Sequence, residues 1–184
     1  MGSEERKGAP PDESSKIYKK LQLISHSCDK IHSYVKAMIV DQKRGLLYST
    51  GKDRIIHCQR LQQNQFEIAG TVKTSNARPC ALEIDTDLQR LYVATREGMV
   101  IIFDVKDQKQ SVMIHAVRIH KPSKRSVDSV DYIKQMDLDT DRNTLICRSK
   151  LGQISVVTII NRSIMQSQII ETINSYKDSP NPDS

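Results

Sequence analysis

Few side chains in this sequence combine types and spacings that chemistry could use. His57 and Cys58 are the one adjacent His/Cys pair. A metal site or a thiolate nucleophile needs further ligands or an orienting base, and the sequence places none beside them. Neighbours on a strand point to opposite faces, so the pair is expected to be structural, with one side chain inward and one outward. Asp41, Asp85 and Asp139 recur at matching places. Each sits in a turn between two apolar runs, where aspartate accepts hydrogen bonds from its own backbone. Turn capping is therefore expected of them rather than calcium binding or acid–base work. The run Asp137-Leu-Asp139-Thr-Asp141-Arg-Asn143 begins like a calcium loop, but it lacks the glycine and the closing glutamate that such a loop requires.

The sharpest candidate is the basic segment Arg118-Ile-His120-Lys-Pro-Ser-Lys124-Arg125-Ser126. Arg118, His120, Lys121, Lys124 and Arg125 are its expected partner-binding residues, suited to an acidic or phosphorylated peptide. Loops held by a rigid scaffold are the usual seat of recognition. Phosphorylation of Ser123 or Ser126 would reverse the local charge. Lys16, Lys19 and Lys20 precede the first strand and are expected to protect an edge from uncontrolled pairing. Cys28, Cys58, Cys80 and Cys147 contain no C-x-x-C spacing, so neither a zinc site nor a disulfide framework is implied. Reduced thiols, and with them a cytoplasmic location, are expected.

The elements that must carry these residues have an apolar period near two. Leu21–Ile24, Tyr34–Val40 and Ile55–Cys58 are short β-favouring runs, punctuated by turn residues at 41–45, 51–53 and 76–79. No capped amphipathic helix of useful length lies between Tyr34 and Ile159, and the pattern indicates many short strands. Three segments repeat. Val40-Asp41, Leu46–Asp53 and Ile55–Cys58 align with Ile84-Asp85, Leu91–Gly98 and Val100–Asp104. Both align with Leu138-Asp139, Leu145–Gly152 and Ile154–Ile159. Fourth runs follow at Gln65–Val72, Ser111–Val117 and Ser163–Ile170. The period is 45 residues from Asp53 to Gly98 and 54 from Gly98 to Gly152, and the excess maps to the charged loop Arg118–Val130. The tight turns at 51–53 and 96–98 need residues that tolerate positive φ, which Gly, Asp and Asn supply.

This pattern resembles the WD40-repeat family. Ser49-Thr-Gly-Lys-Asp53-Arg-Ile-Ile is similar to the family's turn between its second and third strands, Phe103-Asp104 stands where the Trp-Asp dipeptide falls, and His32-Ser33 is similar to the Gly-His pair without its glycine. The resemblance covers roughly residues 16–170, and no tryptophan completes the signature. Ser49–Asp53, His57-Cys58, Leu82–Asp85 and Thr95–Val100 are also similar to the propeller of WD-repeat proteins that carry a FYVE module. That module's paired cysteines are absent here, so its lipid-binding role does not carry over.

The expected fold is all-β: WD40-like β-propeller blades, about three four-stranded antiparallel blades, forming a partial propeller over 16–170. Disordered tails are expected at 1–15 and 171–184, because their composition cannot bury enough surface to offset ordering. A face that normally packs on a neighbouring blade exposes roughly 800 Å². With half of it apolar, leaving it bare costs on the order of 10 kcal/mol. The two open ends are therefore expected to be covered by a second copy, another protein's blades, or terminal helices, unless the chain is a piece of a longer protein.

No phosphate-cradling loop, nucleophile elbow or metal spacing is present, so no enzyme, cofactor or metal is expected. No run approaches the ~20 apolar residues of a membrane span. The N-terminus lacks the apolar stretch of a secretory signal, and Arg6 leaves the myristoylation pattern incomplete. The net charge of +6 suits an acidic partner. The function expected is a non-catalytic WD-repeat scaffold that binds other proteins, or itself, within a larger assembly. The alternatives are an adaptor for phosphoinositide or anionic membrane, or, less favoured for want of a basic stripe interleaved with aromatics, a nucleic-acid-binding subunit. Both would act through the basic inter-blade loop.

Overall fold

The computed structural model of the chain describes residues 31–62, 66–119, 131–160 and 166–174. Every regular element among them is a β-strand. Blade 1 comprises β1 (Ala37–Asp41), β2 (Leu46–Thr50), β3 (Ile55–Leu61) and β4 (Phe66–Lys73). Blade 2 comprises β5 (Pro79–Asp85), β6 (Arg90–Thr95), β7 (Met99–Asp104) and β8 (Val112–Arg118). Blade 3 comprises β9 (Ile133–Asp139), β10 (Thr144–Ser149), β11 (Gln153–Ile160) and β12 (Gln166–Asn174). Each blade is an antiparallel meander in sequence order, and β5 packs against both β1 and β9. The chain is a partial β-propeller with its inner strands side by side. The expected leading strand at Leu21–Ile24 and the N-terminal tail lie outside the described residues.

Two expectations are corrected. The propeller was expected to end at residue 170, but β12 continues to Asn174, where it pairs with Gln153 at the start of β11. The backbone at that end of β11 needs a partner, and residues 171–174 supply it. The repeat from blade 1 to blade 2 is also one residue shorter than the spacing from Asp53 to Gly98 suggests. The left-handed positions in the β2–β3, β6–β7 and β10–β11 turns are Arg54 (φ 60°), Gly98 (φ 75°) and Gly152 (φ 85°). Arg54, not Asp53, is the equivalent of Gly98, which makes the period 44 residues, as it also is from Asp41 to Asp85. The first turn of each blade has the same regularity, with Gly45, Gln89 and Asn143 all at positive φ.

Alternation along the middle blade builds two separate cores. Leu91, Val93, Ile101 and Phe103 pack with Leu46, Tyr48, Ile56 and Cys58 of blade 1. The residues between them, Tyr92, Ala94, Val100 and Ile102, pack with Ile133, Met136, Leu145 and Cys147 of blade 3. A strand buried on both faces reads as a continuous apolar run, as Leu91–Ala94 and Val100–Phe103 do. The outer strand of blade 1 approaches the β7–β8 turn so closely that a Cβ on Gly70 would collide with the Gln108 carbonyl. The outward faces are less covered. Met38, Val40 and Ile68 of blade 1 and Ile146 of blade 3 are exposed.

The three recurrent aspartates cap their turns. Asp85 Oδ1 accepts from the backbone N–H groups of Asp87 and Leu88, both at 3.0 Å. Asp139 accepts from the Arg142 backbone N–H at 3.0 Å and from its guanidinium at 2.8 Å. Asp41, fully buried, accepts from the Arg44 backbone N–H at 3.2 Å and pairs with its guanidinium. The same guanidinium donates to the Val105 carbonyl at 2.7 Å, tying blade 1 to blade 2.

Candidate functional site

At the opposite end of the blades, the β2–β3-type turns meet the starts of the inner strands. The repeat places equivalent residues here. Tyr34, Arg78 and Tyr132 stand seven residues ahead of Asp41, Asp85 and Asp139, and Lys36, Cys80 and Lys134 stand five ahead. In blades 2 and 3 the second of these positions is a bulge. Pairing skips Cys80 between Pro79 and Ala81, and skips Lys134 between Ile133 and Gln135. A bulge residue is released from the ladder and its side chain is re-aimed. The outcome is a cleft of about 270 Å³ lined by Tyr34, Lys36, Cys80, Arg96, Tyr132 and Lys134, with all three blades contributing.

The cleft is cationic. Among the described residues Lys36, Arg96 and Lys134 have no ion-pair partner. The carboxylates nearby are engaged: Glu97 pairs with Arg78 at 2.9 Å, and Asp131 accepts from the Leu151 backbone N–H at 3.1 Å. Burial, followed by the charges of Arg96, Arg78 and Lys52, holds the Lys36 amine below the usual lysine pKa. Arg96 lies over the Tyr132 ring at 5.2 Å, a cation–π contact that fixes the guanidinium plane. Its Nε is buried without a hydrogen-bond partner among the described residues. Lys52 lies 5.6 Å over the half-exposed Tyr34 ring. Unneutralised cations and aromatic rims suit a carboxylate or phosphate carried on a larger ligand. Burial pushes the Cys80 thiol up to about 12, which favours the protonated form over the thiolate. The thiol donates to the Ile133 carbonyl at 3.0 Å.

A second cluster lies beside the cleft on blade 1. His32 Nδ1 is 3.0 Å from Asp53 Oδ2 and its Nε2 is 3.1 Å from Ser49 Oγ. The His57 ring meets His32 edge to face at 4.7 Å, with Nε2 3.5 Å from Asp53 Oδ2. Burial would raise the Asp53 pKa, but the hydrogen bond from His32 and the two imidazoles outweigh it and hold the carboxyl below its ordinary value. Gly51 makes this arrangement possible, because a Cβ there would lie 2.6 Å from the Tyr34 carbonyl oxygen and 2.8 Å from His32 Nδ1.

Of the residues expected to bind a partner, Arg118 alone is described. Its guanidinium donates to the Glu97 carbonyl at 2.9 Å, at the cleft end of the blades. His120, Lys121, Lys124 and Arg125 lie outside the described residues, but the residues flanking that loop, Ile119 and Asp131, are both at this end. His57 and Cys58 divide as expected, with Cys58 in the core and His57 on the other face. Sequence reasoning missed Tyr34, Lys36, Arg96, Tyr132 and Lys134. A signal was present: Tyr-x-Lys recurs at the same offset before Asp41 and Asp139. It also missed that His32 would join Asp53 and His57, which are far apart in sequence.

No family model and no curated protein matches the sequence. Solved structures do match in fold. The Pseudomonas aeruginosa periplasmic gluconolactonase PpgL superposes with TM-score 0.62 at 14% identity, over 79% of this chain and 42% of that one. Chaetomium thermophilum Raptor gives 0.57 at 18% identity, over 77% and 12%. Saccharomyces cerevisiae Sqt1 gives 0.57 at 14%, over 77% and 35%. The chain thus spans less than half the length of these propeller proteins. Their names cover an enzyme as well as proteins of other kinds, so the shared architecture does not by itself assign an activity.

Proposed function

We propose that this chain is a non-catalytic, WD40-like propeller scaffold whose inter-blade cleft binds an acidic segment of a protein partner. One observation carries this reading: Lys36, Arg96 and Lys134, one from each blade, converge on a single cleft without ion-pair partners among the described residues. Holding like charges together is unfavourable unless a ligand neutralises them, and a chain of carboxylates does so. The tyrosine rims add amphipathic surface for the partner's backbone and side chains. Arg118, the first residue of the basic segment, lies at the same end of the blades. The free Cys58, Cys80 and Cys147 fit a reducing compartment, the cytoplasm.

The test is fluorescence anisotropy with a fluorescein-labelled octaglutamate peptide and an octaglutamine control. The expected result is binding of the glutamate peptide alone, weakening with salt, and at least tenfold weaker binding by a Lys36→Met/Arg96→Ala/Lys134→Met variant. Equal affinity of variant and native protein overturns the reading. So does tighter binding of phosphoinositide vesicles or of a single-stranded oligonucleotide at the same ionic strength.

A further inference from the structure

The outer rim of blade 2 carries a feature that the central cleft does not use. β8 is the last strand of its sheet, so one edge of its backbone has no strand partner among the described residues. Natural sheets usually guard such an edge with charged side chains. Here the first three residues are apolar and exposed, Val112 at 61%, Met113 at 59% and Ile114 at 40%. We propose that β8 binds the extended, apolar C-terminal segment of a partner protein as an added antiparallel strand, with the partner's terminal carboxylate held between Lys73 and Lys109.

The local backbone explains the exposed run. Strict alternation would turn the middle residue of the three away from its neighbours. The pairing of β7 with β8 instead runs from Ile102 opposite His115 to Phe103 opposite Met113, and skips Ile114. A bulge of this kind re-aims its side chain. Unpaired backbone groups beside uncovered apolar side chains are what strand addition uses. Main-chain hydrogen bonds supply affinity, and side-chain contacts supply selectivity. In β4, the outer strand of blade 1, the exposed Ile68 stands alone beside the charged Glu67.

A second observation lies at the start of β8. A groove of about 320 Å³ between blades 1 and 2 is lined by Thr71 and Lys73 of β4 and by Lys109, Gln110 and Ser111 just ahead of β8. The outer strand of blade 1 meets the β7–β8 turn there, Gly70 against Gln108, and this contact sets the two lysines on one groove. Neither lysine has an ion-pair partner among the described residues. The Asp107 carboxylate is engaged in its own turn, accepting from the Lys109 backbone N–H at 2.8 Å. Two ammonium groups, two hydroxyls and an amide form a donor set that suits a carboxylate.

Charge selects the direction and the occupant. A strand antiparallel to β8 brings its C-terminal end to Val112, beside the groove, where its carboxylate meets Lys73 and Lys109. A parallel strand would bring an N-terminal amine there, among like charges. A second copy pairing through its own β8 is disfavoured in the same way. Antiparallel alignment would set Lys109 of one copy towards Arg118 of the other, and like charges across a strand pair are destabilising. The site shares no residue with the cleft of Lys36, Arg96 and Lys134, and it stands whether or not that cleft binds an acidic segment.

The experiment is fluorescence anisotropy with the full chain and the hexapeptide Thr-Val-Thr-Val-Thr-Val, labelled with fluorescein at its N-terminus. The peptide with a free C-terminus is expected to bind at least tenfold more tightly than its C-terminal amide. It is expected to exceed by the same factor a version with N-methylated backbone amides, which cannot donate along a strand. Lys73→Met/Lys109→Met and Met113→Lys should each weaken binding at least fivefold, while Lys43→Met leaves it unchanged. Should the variants fail to fold, backbone amide shifts of the native chain decide the matter: those of β8 move on adding the peptide. Absence of binding overturns the proposal, as does equal affinity for the free acid and either modified peptide. So does binding unchanged in both variants, shifts confined to other strands, or a dimer in sedimentation whose β8 amides resist exchange before any peptide is added.

Discussion

Replacing Lys36 by Met separates what the cleft does for binding from what it does for stability. Methionine keeps most of the apolar stem and removes the charge. A bound carboxylate about 4 Å from the amine contributes ~1–2 kcal/mol at an effective dielectric of 40–80. Its loss predicts about five- to thirtyfold weaker binding of the octaglutamate peptide. Stability should move the other way. Burial and the neighbouring Arg96, Arg78 and Lys52 hold the Lys36 pKa below the 10.5 of an unfolded lysine. The unfolded chain therefore binds this proton more tightly than the folded one. Below the folded pKa the charged amine opposes folding by a constant amount, and that cost fades as pH rises from the folded pKa towards 10.5. Solvent screening keeps the gain from Lys36→Met below about 1 kcal/mol, or no more than ~4 °C in melting temperature for a chain of this size. The advantage should be present at pH 7 and should shrink near pH 10. Scanning calorimetry at both pH values, with anisotropy on the same samples, tests the reasoning. A variant that melts lower at pH 7 and binds the peptide as well as native protein would refute it.

Leu91→Ala removes a fully buried side chain from the core between blades 1 and 2 and should cost about 2–5 kcal/mol by denaturant titration. Met38→Ala on the exposed face of β1 should stay within about 0.5 kcal/mol. Gly51→Ala puts a methyl against the Tyr34 carbonyl and His32, and should destabilise by ~1–3 kcal/mol through crowding, although Gly51 is not at positive φ; thermal melts would show it. In a Cys28→Ser background, alkylation of native protein at pH 8, followed by mass spectrometry, should run at least ~100-fold slower than in guanidinium. Burial protects Cys58 and Cys147, and pushes the Cys80 and Cys147 thiols up to about 12.

The sequence alone specified the blades and much of their turn chemistry. Strand alternation, the recurrent Asp41, Asp85 and Asp139, and the apolar runs at 91–94 and 100–103 report interactions between chain neighbours or along one strand. Such interactions leave a periodic trace. The same logic erred where two local solutions compete, as in the turn at 51–54. Gly51 there serves the close approach of His32, while Arg54 takes the left-handed conformation.

Only the tertiary structure decided which residues meet. Lys36, Arg96 and Lys134 share a cleft because the inner strands lie side by side and bulges at Cys80 and Lys134 bring those residues into its lining. His32 and His57, separated by 25 positions, meet at Asp53 because the β2–β3 hairpin folds back beneath the segment ahead of β1. Side-chain period within a strand fixes a face, whereas the angle between blades and the placement of a bulge fix a site, and neither is written in any one repeat.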